Sequence, residues 1–288
     1  AERVLSRQLL DVYLRTLRPI TPEQSKAEPI HRLFSERLID PPTGAFPGGR
    51  YRSFYVGQRF AFPGVELDWE AFSTARLVIN GIAYRQTVGA MFAQAAARLT
   101  PERLADAGGV VAHGDAHNAN VWYTEKGSSA ELSYFDPAFA GEHVPTLLAE
   151  IKTTFHNIFA HPLWLYDPAE ATARYDGSAR YHDGTLFFET DWQPSRIRKA
   201  LLQVKADEIW KPLLAKLKAR GLLPADWRTV IRSGLFLCPT LVMNLRAGAS
   251  SHTTLSSLIA FSVAAMVGSE PEDGADFVTD FLDGIDPG

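Results

Sequence analysis

Two short apolar runs, Val110-Val111-Ala112 and Val121-Trp122-Tyr123, bracket eight residues, His113 to Asn120, that are almost all polar or small. The flanks carry β-branched and aromatic side chains, and the middle carries no aliphatic group larger than alanine. Such a run reads as a tight loop between two buried strands. The loop holds Asp115 and, five residues on, Asn120. Sixteen residues later Asp136 follows a third apolar run, Leu132-Ser133-Tyr134-Phe135.

Oxygen-bearing groups at these positions suit phosphoryl transfer from a nucleotide. One carboxylate takes or orients the proton of an acceptor hydroxyl. A neutral amide oxygen and a second carboxylate hold magnesium, which prefers hard oxygen ligands and keeps several waters. The base must stay apart from the metal ligands, and the five-residue step from Asp115 to Asn120 allows that.

The rest of the chain reads as mostly helical. Apolar residues at three- and four-residue steps predict helices over 3–17, 23–38, 68–99 and 101–107, then near 143–160, 195–219, 226–246, 252–268 and 272–283. Pro and Gly punctuate a loop-rich stretch at 40–64, with room for one or two short strands in the aromatic segment Tyr51 to Phe62. Residues 161–194 read as a connector or hairpin. The expected fold class is α+β, predominantly helical, with a small central strand cluster carrying the polar loop.

His113-Gly114-Asp115, four residues, then Asn120 resembles the His-Arg-Asp-x-x-x-x-Asn catalytic loop of kinases. With Gly after the first His and His117 two after the Asp, the segment is similar to the aminoglycoside phosphotransferase and choline kinase group. Phe135-Asp136-Pro137-Ala138 resembles that group's metal-binding segment. The resemblance covers residues 110–140 and implies a protein-kinase-like C-terminal lobe. By the resemblance Asp115 is the catalytic base, and Asn120 and Asp136 bind Mg2+ and, through it, ATP. His113 braces the loop, and His117 shapes it or contacts phosphate. The activity implied is ATP-dependent phosphorylation of a hydroxyl on a small molecule of amino-sugar, sugar, choline or amino-alcohol type.

Nothing before His113 resembles the nucleotide-gripping strands of such kinases. Lys26 is the only lysine before Lys126, and Gly44 to Gly49 fits neither a kinase loop nor a P-loop. With Ala1 rather than Met at the start, the expectation is one C-terminal lobe over 1–288, cut from a longer kinase. Its parts would be helices and a Pro/Gly-rich loop over 1–109, the catalytic and metal loops over 110–140, and a helical substrate side over 141–288. After Asp136 the expected further acid is replaced by Gly141-Glu142-His143, with Glu150 later. Two other readings remain open at this point. One is a metallohydrolase with His113, Asp115, His117 and Asp136 around zinc or manganese. The other is a non-catalytic binding module of kinase ancestry.

Charge and cysteine content narrow the partners. With 29 basic and 33 acidic residues the net charge is −4, which argues against a nucleic-acid partner. The longest apolar run, Leu258 to Val267, is too short to span a bilayer, so no membrane partner is expected. The single cysteine, Cys238, excludes an internal disulfide and reads as an inert core residue, compatible with a cytoplasmic location. The tail from Glu270 carries seven acidic residues and no basic one. It reads as a solvated face, and it could help attract a cationic substrate. The aromatics Trp164, Tyr166, Trp192 and Trp210 could line a site or the core equally well.

Overall fold

Turn chemistry places strands where helical periodicity predicted helix. In the computed structural model, which describes residues 1–127 and 129–288, α1 (Glu2–Thr16) turns Tyr13 inward. Then α2 (Pro22–Ala27) opens on a reciprocal cap. The Thr21 hydroxyl accepts from the Gln24 N–H, and the Gln24 side chain accepts from the Thr21 N–H. Two donors that a helix start leaves orphaned are thereby satisfied. Next come α3 (Gly49–Phe54) and the antiparallel hairpin of β1 (Arg59–Phe62) and β2 (Val65–Asp68).

The continuous helix expected over 68–99 does not form. It divides into α4 (Trp69–Thr74), β3 (Arg76–Ile79), β4 (Ile82–Tyr84) and α5 (Val88–Arg98). Asn80-Gly81 is the cause. Both residues adopt positive φ, 48° and 81°, as a two-residue hairpin turn requires and as Asn and Gly tolerate. The β-branched Val78 and Ile79 before the turn favour a pleated strand.

After α6 (Pro101–Leu104) come the central strands, β5 (Gly109–Ala112), β6 (Val121–Lys126), β7 (Ser129–Tyr134) and β8 (Gly141–Pro145). The first three match the three apolar runs. β8 replaces the start of the helix expected over 143–160, because its residues pair antiparallel with β5: Val110 faces Val144 and Ala112 faces Gly141. β6 and β7 form their own antiparallel pair, with Val121 facing Tyr134. The remainder of 143–160 is a short helix, α7 (Ile151–Thr154), followed by a π-helical turn, Phe155–Phe159.

Beyond α8 (Pro168–Arg174), β9 (Gly177–His182) and β10 (Thr185–Thr190) form the hairpin expected within 161–194. β10 pairs parallel with β3, giving a four-stranded sheet in the order β4-β3-β10-β9. The final helices are α9 (Arg196–Lys205), α10 (Lys211–Ala219), α11 (Trp227–Val242), α12 (Thr254–Gly268) and α13 (Phe277–Gly284). α13 starts later than predicted because Asp276 caps it, accepting from the backbone of Val278 and Thr279. The fold is α+β and about half helical. A single apolar core runs from Tyr13 to Ile285 and includes Cys238, whose thiol is pushed up to about 12 by burial. No described helix is long and apolar enough to cross a membrane.

Candidate functional site

Strand pairing brings the two polar loops together. The loop 113–120 leaves β5 and enters β6, and the loop 135–140 leaves β7 and enters β8. Since β5 pairs with β8 and β6 with β7, the loops lie side by side at one edge. Phe135 N–H donates to the Asn120 carbonyl at 3.1 Å, so Asp136 follows directly beside Asn120.

His113 ties the loops. Its Nε2 lies 2.8 Å from the Phe135 carbonyl, and its Nδ1 accepts from the Asp115 N–H at 3.4 Å. The proton therefore sits on Nε2. Gly114 makes the approach possible. It has φ +79°, and an added Cβ would stand 2.4 Å from the Phe139 carbonyl oxygen. Asn120 spends its amide nitrogen on the Asp115 carbonyl at 2.8 Å, which leaves its amide oxygen for another partner. Asp136 is exposed and adopts φ +56°, and Asp115 is 15% exposed along its side chain.

Reasoning from the sequence did not find the groups on the far side of Asp115. Lys152, from α7, reaches to 3.4 Å from Asp115 Oδ1 and 3.0 Å from His156 Nε2. An ammonium only donates, so His156 accepts at Nε2, carries its proton on Nδ1 and donates to the Tyr166 oxygen. Burial, reinforced by Lys152, holds His156 well below the usual histidine pKa, so it stays neutral. His117 turns its Nε2 to 3.6 Å from Asp115 Oδ1, accepts from the Ala119 N–H at Nδ1 and packs on the His156 ring. Burial lowers its pKa too, against the pull of Asp115. Asn157 in the π-helical turn accepts the Asn118 N–H at 2.7 Å and anchors the loop from behind. Asp115 Oδ1 is shielded from water and accepts no hydrogen bond in bonding geometry. The only sequence signal for Lys152 is its place in an apolar stretch, Leu147 to Phe155, where a lysine has to be buried.

Several other candidates lie elsewhere or serve the fold. Glu150 is fully buried and takes the Tyr13 hydroxyl at 2.6 Å and Lys205 Nζ at 3.1 Å. Glu142 is exposed and offers only its carbonyl, to Arg18. Trp164, Trp210 and Trp192 are core residues, whereas Tyr166 is half exposed at the site. Three of the seven acids of the tail pair with arginines: Glu270 with Arg228 and Arg232, Glu272 with Arg76, and Asp283 with Arg228. His113 cannot join Asp115, His117 and Asp136 as a metal ligand, because both its nitrogens are spent on backbone groups. Among the described residues no group of three His, Cys, Asp or Glu side chains is arranged to hold a metal ion. An ammonium beside Asp115 also disfavours a second cation there.

Compared with known proteins, the chain matches no family model, no curated protein and no solved structure.

Proposed function

We propose that this chain carries the phosphotransfer site of a small-molecule kinase with a C-terminal lobe of kinase type. The observation that carries the reading is that strand pairing sets the loop of Asp115 and Asn120 directly beside the loop of the exposed Asp136. Asp115 is the base. Its Oδ1 faces Lys152 and His117, which leaves Oδ2 to meet an acceptor hydroxyl. The hydroxyl oxygen bonds to the terminal phosphorus of ATP and its proton passes to Asp115. The bond from that phosphorus to the bridging oxygen breaks, and ADP leaves with the electron pair.

The free amide oxygen of Asn120 and the exposed carboxylate of Asp136 are hard oxygen donors and fit Mg2+, which they would hold. The ion supplies neutralisation of phosphate charge. His113, His117 and Asn157 do the positioning by locking the loop backbone, so that little rearrangement is needed in the transition state.

Asp115→Ala in the full chain is expected to lower kcat by about 10³-fold, the scale of a lost general base, while Mg-ATP binding followed by calorimetry stays within a few-fold. Undiminished turnover would remove Asp115 from its role. The ion pair of Asp115 with Lys152 favours one other reading, a non-catalytic binding module in which this carboxylate is structural. Nucleotide binding without transfer to any acceptor would support that alternative.

A further inference from the structure

On the side of Asp115 that faces Lys152, the surroundings are lopsided in charge. Elsewhere in the protein, buried cations meet carboxylates generously. Arg98 has Asp106 and Asp226, Lys205 has Glu150 and Glu2, and Arg232 has Glu270. At the site the proportion inverts. Among the described residues Lys152, 6% exposed, has only Asp115 as a carboxylate partner. Arg37 lies within electrostatic reach of Asp115 and spends its guanidinium on the carbonyls of Arg32 and Leu241. Arg50 donates to the carbonyls of Leu241 and Val242, and Arg198 to that of Asn157. Among the described residues none of these three arginines has a carboxylate within ion-pair distance. Burial and the neighbouring Arg50 push Arg37 down to about 10, the mark of a cation held without its counter-ion. His117 and His156 are held neutral and add no charge of either sign.

Lys152 is also under-used. Of its three N–H donors one is given to His156, and its contact with Asp115 Oδ1 lacks hydrogen-bonding geometry. A buried ammonium with unfilled donors is costly unless something arrives to fill them. The cost grows during the reaction. When Asp115 takes the hydroxyl proton it becomes neutral, and Lys152 loses its only counter-ion. On the Lys152 side a cationic acceptor such as an amino-sugar or choline would meet no carboxylate among the described residues except the base itself, since Asp136 lies on the neighbouring loop as the proposed Mg2+ ligand.

We propose that the acceptor is an anionic hydroxyl compound, a small hydroxy acid or phosphorylated polyol, whose acid group binds Lys152 while its hydroxyl meets Asp115. Arg37 adds long-range attraction. The inference rests on the kinase reading for the hydroxyl's role but not for the anion site. Carboxylate and phosphate share the chemistry that Lys152 recognises.

Four three-carbon or similarly small probes of different charge test it: glycerol, D-glycerate, glycerol 3-phosphate and choline. Binding to the full chain is read by saturation-transfer NMR without nucleotide, and turnover by ADP release with Mg-ATP. At least one of the two anions is expected to bind, and its signal to vanish at high salt and in Lys152→Met. Lys152→Arg is expected to retain part of it. In turnover the favoured anion should exceed glycerol and choline at least 10-fold in kcat/KM, an advantage that Lys152→Met abolishes. Should Lys152→Met fail to fold by circular dichroism, Arg37→Gln carries the comparison, with a reduced preference expected. Choline binding as well as the anions do, or an anion preference indifferent to Lys152, overturns the inference and leaves the kinase reading standing. Anion binding lost in Lys152→Met, with no Asp115-dependent turnover of any probe, upholds the anion site and removes the kinase reading.

Discussion

At the scale of single residues, the chemistry depends on backbone bonds more than on the reacting groups. Asp115 is held by the bond of its own N–H to His113 and of its carbonyl to Asn120. Both bonds lie within the first loop, whose His113 and Asn120 are in turn tied to the second loop through Phe135, and Gly114 is where the two loops touch. In Gly114→Ala the new methyl would press on the Phe139 carbonyl at 2.4 Å, at a φ of +79° that alanine resists. The expected cost is about 1–3 kcal/mol in urea unfolding, with a loss of turnover larger than the loss of stability alone explains. Turnover that follows the folded fraction would contradict this. Asp115, Asn120 and Asp136 were legible as residues because their spacing sits between apolar runs. Lys152 and His156 were not, because nothing local tells a buried lysine which carboxylate it will meet, and Tyr166 was legible only as an aromatic that could line a site or the core. The dispersed spacing of His156 and His161 gave no reason to group His156 with a loop forty residues earlier.

At the scale of elements, competition between propensity and turn chemistry explains where the expectations failed. Ala-rich periodicity predicted one helix over 68–99, yet Asn80-Gly81 folds its middle into a hairpin. An added Cβ at Gly81 would meet no atom within 4 Å. Gly81→Ala therefore isolates the conformational cost of φ +81°. About 1–3 kcal/mol of lost stability is expected by chemical denaturation, with the Asp115 site unaffected. An unchanged unfolding midpoint would show that the turn does not hold this hairpin. The start of the helix expected over 143–160 became β8 for a different reason. Gly141 to Pro145 carries no strand signal strong enough to read alone, and β5 recruits it by pairing. A π-helical turn then places His156 and Asn157 toward the loop. Such turns widen a helix locally and are frequent at functional positions.

At the scale of the whole molecule, β3 and β10 pair across more than a hundred residues, so the early hairpins and the late helices share one core. That core also withholds protons from histidines. Burial lowers His31 and His156, and lowers His161 and His252 to about 4, from an ordinary 6.5. Between those pH values the unfolded chain binds more protons than the folded one. Stability is therefore fully present above about pH 6.5 and falls as pH drops toward 4, by at most about 1.4 kcal/mol per pH unit for each well-buried ring. Urea midpoints should decline from pH 7 to pH 5, and more shallowly in His252→Gln; equal midpoints at the two pH values would refute the account. The amino-acid order alone settled the helical bias, the three central strands and the alternation that sets Asp115, Asn120 and Asp136 at strand ends, because these follow from side chains a few residues apart. The pairing of β5 with β8 was decided in three dimensions. So were the burial of Lys152 against Asp115 and the excess of cations around that carboxylate. Each depends on partners distant along the chain, and on a desolvation cost that exists only once the core has closed over them.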